Sequence, residues 1–207
     1  MTGQVLALDF KGRGTIKQAR FFIHKQVQTL KSNILELDRC FGQSIQPGKL
    51  IEWGLPEGRH GRSIPLLFLR GEIPPSIWIY ADNGTDIYAP AWLSHGVDLE
   101  RLFFVKSDQP IKHLRPLFLD NLFKIIIIDS PKKLLKGDLA FIHRQARENQ
   151  QIIFLIRNYF LSVKNGNPLA SVRLNCWQNR RGYYSLNIIK GKITGKKEIV
   201  IESELSQ

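Results

Sequence analysis

Two short segments carry the residue types that phosphate chemistry uses. The first, LIEWGLPEGRHGRS, is an apolar run beginning at Leu50 that enters a loop containing Gly58 and Gly61 and closes on Arg62 and Ser63. A phosphate-binding loop is written G-x-x-x-x-G-K-[ST]. Its glycines let backbone N–H groups wrap a phosphate, its Lys reaches the terminal oxygens and its hydroxyl holds magnesium. Aligned on Gly61, the segment has Pro56 at the first glycine and Arg62 at the lysine. Proline removes a donor and fixes φ, and a planar guanidinium does not replace a compact ammonium in a closed nest. Pro65 falls in the first turns of the helix that should follow, which predicts a shortened or shifted helix. A plain Gly-rich turn explains the loop equally well. The second segment, KIIIIDSPKK, ends an apolar run on Asp129. A carboxylate at the C-terminal end of a buried strand, beside a phosphate loop, is placed for magnesium. Asp129-Ser130-Pro131 would serve equally well as a turn or helix N-cap.

Other chemistry finds little support. His24, His60, His95, His113 and His143 show no metal-ligand spacing, and no Gly-x-Ser-x-Gly elbow offers a nucleophile. Cys40 and Cys176 are far apart and read as buried free thiols. No metal site and no catalytic residue is assigned.

These segments need elements to hold them. Apolar runs at Leu50–Trp53, Ser76–Tyr80, Leu102–Val105, Ile125–Ile128 and Ile152–Ile156 read as strands. Ile111–Phe123 and Leu134–Asn149 carry helical spacing. Four consecutive isoleucines suit a strand buried on both faces, and the alternation argues a doubly wound α/β sheet. Ser171–Gln178 and Tyr183–Ile189 flank an Asn-Arg-Arg-Gly turn and predict a C-terminal antiparallel hairpin. At the other end, Ile16, Ala19, Phe22, Ile23, Val27, Leu30, Ile34 and Leu37 predict an amphipathic helix over 15–37, ended by a Gly42–Gly48 linker. The division is thus residues 1–45, helix and linker, and residues 46–207, the core domain.

The chain of 207 residues is 43% hydrophobic, enough for a real core, with no run near the ~18 apolar residues of a membrane span and no secretory signal pattern. No membrane partner and a cytoplasmic location are expected. The net charge of +12 predicts attraction to nucleic acid or to an acidic protein. From Gln151 onward nine Lys/Arg face three Glu. Arg173, Arg180, Arg181, Lys190 and Lys192 are the candidate partner- or DNA-binding cations. Trp177, Tyr183 and Tyr184 are interleaved as stacking platforms or as one core face of the hairpin.

The order PGKLIEW, GRHGRS, IYADNGTD, HGVDLERLFFVKSDQP, IIIIDS, FLIRN, ASVRL, NIIKGK resembles the core of bacterial RecA over about seven tenths of the chain, from Pro47 to Lys192. The resemblance implies a RecA-like doubly wound, mainly parallel sheet. Gly58, Gly61, Arg62, Ser63 and Asp129 would then be a degenerate nucleotide site. It also places Gly84, with Asp82 two residues earlier, where the family carries a water-activating Glu. The site would lack both a γ-phosphate clamp and a base, so no ATP or magnesium cofactor and no hydrolysis are expected. The two segments matching the DNA-binding loops, after Asp129 and over Tyr159–Leu169, are short.

Degenerate RecA-like proteins of this profile resemble the ImuA family, accessories of damage-induced (SOS) translesion synthesis. That likeness implies a non-hydrolysing adaptor in mutagenic DNA repair that meets RecA, an ImuB-like polymerase subunit or an error-prone polymerase by protein contact. Oligomerisation through the N-terminal helix and direct DNA binding stay open. The alternatives are a DNA-binding RecA paralogue, a weak ATPase and a SulA-like division inhibitor.

Overall fold

The apolar runs form strands because β-branched and aromatic side chains pack well on a pleated surface buried on both sides. In the computed structural model, which describes residues 29–81, 87–179 and 183–199, they give β1 (Lys49–Gly54), β2 (Ser76–Tyr80), β3 (Leu102–Lys106), β4 (Ile125–Asp129) and β5 (Ile152–Arg157). The C-terminal region adds β6 (Val172–Gln178), β7 (Tyr184–Lys190) and β8 (Gly195–Ile199). All eight join one sheet in the order β3-β2-β4-β5-β1-β6-β7-β8. Pairing is parallel from β3 to β6 and antiparallel from β6 through β8. The fold is therefore mixed α/β, mostly parallel, with an antiparallel C-terminal edge.

Ile125 to Ile128 sit at the centre with no solvent exposure, each worth ~1.5–3 kcal/mol relative to exposure. Alternate residues feed separate cores on the two faces. One face joins Trp53, Phe68, Phe154 and Phe41, ring centroids 5.4–6.2 Å apart, to α1 (Leu35–Cys40) and α2 (Ser63–Leu67). Trp92 of α3 (Ala89–Leu93) packs there too, edge-on to Trp78. The other face is covered by α4 (Pro110–His113), α5 (Arg115–Leu119) and α6 (Lys136–Glu148), which bring Ile111, Phe118, Phe141 and Ile142 onto Ile126, Ile128 and Leu155.

Three expectations change. The helix over 15–37 lies largely outside the described residues. Within them, 29–34 is not helical, because Leu30 exchanges backbone hydrogen bonds with Ile45 and Asn33 has φ +62°. Ser32 donates from its N and Oγ to Asp38 Oδ1, both at 2.8 Å, so the chain turns sharply into α1. Leu30, Leu37, Cys40, Phe41 and Ile45 share the main core with Ile51, Trp53 and Phe154 of the sheet. The helix over 111–123 is two short ones, since Pro116 lacks the N–H an uninterrupted helix would need there. β8 is an addition to the expected hairpin. It is the charged edge, with Lys196, Lys197 and Glu198 discouraging further strand pairing.

Candidate functional site

The loop after β1 leaves the sheet beside the C-terminal ends of β5 and β6, and both strands hold it. Leu55 N donates to Arg157 O (2.8 Å) and Gln178 N to Arg59 O (2.8 Å). Gly61 lies so close to β6 that a Cβ there would stand 2.6 Å from the Cys176 carbonyl oxygen. Gly58 and His60 take left-handed φ of +69° and +51° at the exposed tip. Ser63 then begins α2, which lasts only five residues and has no side-chain cap. Pro56 interrupts the nest, and so brief a helix offers little dipole to a phosphate.

Arg62 reaches from this loop to the end of β4 and grips the carboxylate of Asp129 with two arms. Nε donates to Oδ2 at 3.0 Å and Nη2 to Oδ1 at 3.1 Å. Nη2 also donates to Ser130 Oγ (2.8 Å), whose own hydroxyl donates to Asp129 Oδ1 (2.8 Å). Ser130 has φ +49° and α6 starts six residues later at Lys136, so Asp129-Ser130 is a turn and not an N-cap. The Asp129 side chain is only 11% exposed, and its oxygens point at a guanidinium of this chain. A magnesium ion would have to displace a bidentate, charge-assisted pair. The five residues Gly58, Gly61, Arg62, Ser63 and Asp129 are thus in one loop-and-strand-end neighbourhood, closed by its own cation. Asp82 and Gly84 lie outside the described residues. Beside the pair is an open cavity of about 420 Å³ lined by Ala81, Ser130, Lys132, Leu134 and Tyr159, where Lys132 is held by Asp108 at 2.6 Å.

A second cluster gathers Arg173 with residues that sequence reasoning does not single out. Glu52, on β1 and without solvent exposure, accepts from Arg157 Nε (3.0 Å) and from the Asn167 backbone N (2.5 Å), with Arg173 Nε 3.5 Å away. Arg173 donates through Nη2 to the carbonyls of Ser162 (2.5 Å) and Asn165 (2.8 Å). Arg173 is therefore no surface cation: it is 6% exposed, buried because the β5–β6 crossover folds back over it. Asn175 completes the clamp, accepting from Leu161 N (2.7 Å) and donating to Leu161 O (2.9 Å). Where a helix ordinarily joins two parallel strands, segment 158–171 connects β5 to β6 as a loop without helix or strand, held by buried polar groups. The legible signal is the lone carboxylate inside the apolar run LIEW.

The remaining candidates are dispersed. Lys190 donates to Pro168 O (2.8 Å), Lys192 lies against Gly42, and Arg180 and Arg181 are outside the described residues. Tyr184 is core, Tyr183 is exposed and Trp177 packs edge-on against Phe160. Both cysteines are buried free thiols, and burial pushes Cys40 up to about 11 and Cys176 higher still. Partial burial lowers His143, followed by the charges of Arg147 and Lys190. Among the described residues no helix is long and apolar enough to cross a membrane, and no cluster of His, Cys, Asp and Glu could hold a metal. No protein-family model matches the chain, and no curated protein matches it either.

Proposed function

We propose that the chain is a non-hydrolysing RecA-like accessory protein of SOS-induced translesion DNA synthesis, similar to the ImuA family, which acts by protein contact with RecA or an error-prone polymerase. The observation that carries the non-hydrolysing part is the Arg62–Asp129 pair, in which a side chain occupies the carboxylate that magnesium would need. The clamped crossover supports the same reading, since a segment bonded to Glu52, Arg173 and Asn175 is not free to follow a DNA strand as a mobile loop would. The sheet order, with a parallel body and an antiparallel C-terminal edge, is compatible with the RecA likeness.

Two measurements test the reading. Thermal unfolding with Mg-ATP should show no stabilisation, whereas a melting temperature that climbs with nucleotide as RT ln(1 + [L]/Kd) requires would refute a closed site. Affinity capture of the intact chain from cells exposed to DNA damage should recover RecA or polymerase components. Recovery of a cell-division protein instead would favour the SulA-like alternative.

A further inference from the structure

At the end of the sheet opposite the Arg62–Asp129 pair, where β1 begins, lies a groove of about 620 Å³. Lys49 borders it from the strand, and His143, Arg144, Arg147 and Glu148 border it from α6. His143 and Arg147 are four positions apart and Arg144 lies between them, so all three side chains rise from one side of the helix. Lys190, on β7, is near enough for its charge to act on His143. The one carboxylate, Glu148, is 3.9 Å from Arg144 in a pair whose side chains are 62% and 58% exposed, too wet to neutralise it. Among the described residues, Lys49 and Arg147 have no carboxylate partner at all.

We propose that this groove binds the phosphate backbone of a nucleic acid, without regard to base sequence. The proposal does not rest on the adaptor reading, because it concerns a different end of the molecule and different residues. Three features select this ligand class. The cations remain in water, so a single small anion would gain little from any one of them. A polyanion gains from counterion release at each contact. The lining holds no Phe, Tyr or Trp and no large apolar side chain, so it lacks the broad ring platforms on which successive bases stack and the buried anchors that carry most protein interfaces. The arginines present planar forks suited to phosphate oxygens. Burial, then the charges of Arg147 and Lys190, lower the imidazole of His143, and Arg147 borders the groove with it.

The test is fluorescence anisotropy of the full chain with labelled duplex and single-stranded DNA of two base compositions, at salt between roughly 50 and 200 mM. Lys49→Ala, Arg144→Ala and Arg147→Ala together should lower affinity at least about tenfold at the lower salt. They should make the log–log salt dependence shallower by about two to three, alike for every sequence. A control chain carrying Lys112→Ala, Lys136→Ala and Lys196→Ala, which removes the same charge from other exposed positions, should lose much less. Gln at the same three groove positions gives the same readout should the Ala chain fold poorly. Equal losses in groove and control chains would overturn the proposal, as would polyglutamate binding as tightly as DNA, which would assign the groove to an acidic protein.

Discussion

Two arginine–carboxylate clusters, one at the end of β4 and one on β1 with β5 between them, differ in what they replace. The Arg62–Asp129 pair sits at the C-terminal strand ends, with Arg62 34% exposed, where a ligand would otherwise approach. The Glu52 cluster lies under the crossover, with Arg157 and Arg173 only 13% and 7% exposed. On the proposed reading the first stands where magnesium would bind, and with its arginine a third exposed it contributes less to folding, an exposed pair being worth typically up to about 1 kcal/mol. The second takes the place of a covering helix, and there the cost of removing one partner is high because the others stay buried and charged. Similar chemistry therefore serves site closure in one location and architecture in the other, decided by solvent.

The sharpest way to break this contrast is Glu52→Ala, which strands Arg157 and Arg173 and should cost about 3–5 kcal/mol in urea unfolding. A cost under about 1 kcal/mol, the ceiling for a hydrated pair, would erase the distinction. Next, Asn175→Ala leaves both backbone groups of Leu161 without partners and should cost about 1–3 kcal/mol, with protease cleavage within 159–169 appearing before global unfolding. Arg62→Ala should cost roughly 1 kcal/mol or less. Arg62→Lys should leave phosphate release at background, because Pro56 still interrupts the nest. Turnover in that variant would give the exposed cluster the catalytic competence denied to it here.

The smallest effect concerns pH. His143 is held below the ordinary imidazole range by burial and then by Arg147 and Lys190. Glu148 is the groove's one carboxylate, and Lys49 and Arg144 add further positive charge. The unfolded chain therefore takes up this proton first, so His143 favours the native state above the imidazole range and that contribution fades as pH falls through it. His143→Gln should flatten stability over that interval, measured by urea midpoint against pH.

Much of the sheet is legible in the sequence because its strands are unbroken apolar runs: LIEW, SIWIY and IIIID need no tertiary information to be read as buried β. β8 is not, since Ile199 is the one apolar side chain in GKKEI and the strand exists by pairing with β7. The helical period across 111–123 is real but serves two short helices, and Pro116 is the warning. Of the candidate site, the residues can be found by type and their relation cannot. Nothing in the spacing between Arg62 and Asp129 says that they touch, because that contact depends on β1 and β4 flanking β5 in one sheet. Arg173 misleads for the opposite reason. Basic residues are counted as surface by default, and only the crossover's path turns this one inward.

That path also governs how the molecule breathes. Segment 158–171 contains no helix or strand, and by that criterion its amide hydrogens should trade with deuterium in seconds. Yet the Leu161 N–H is held by Asn175 and the Asn167 N–H by Glu52, both acceptors buried on central strands. Neither can be freed without lifting the crossover away from β1 and β6. In exchange followed by mass spectrometry or NMR, these two amides should keep pace with the strands beneath them. Those of Val163 and Lys164, on the exposed outer bend, should be gone at the first time point.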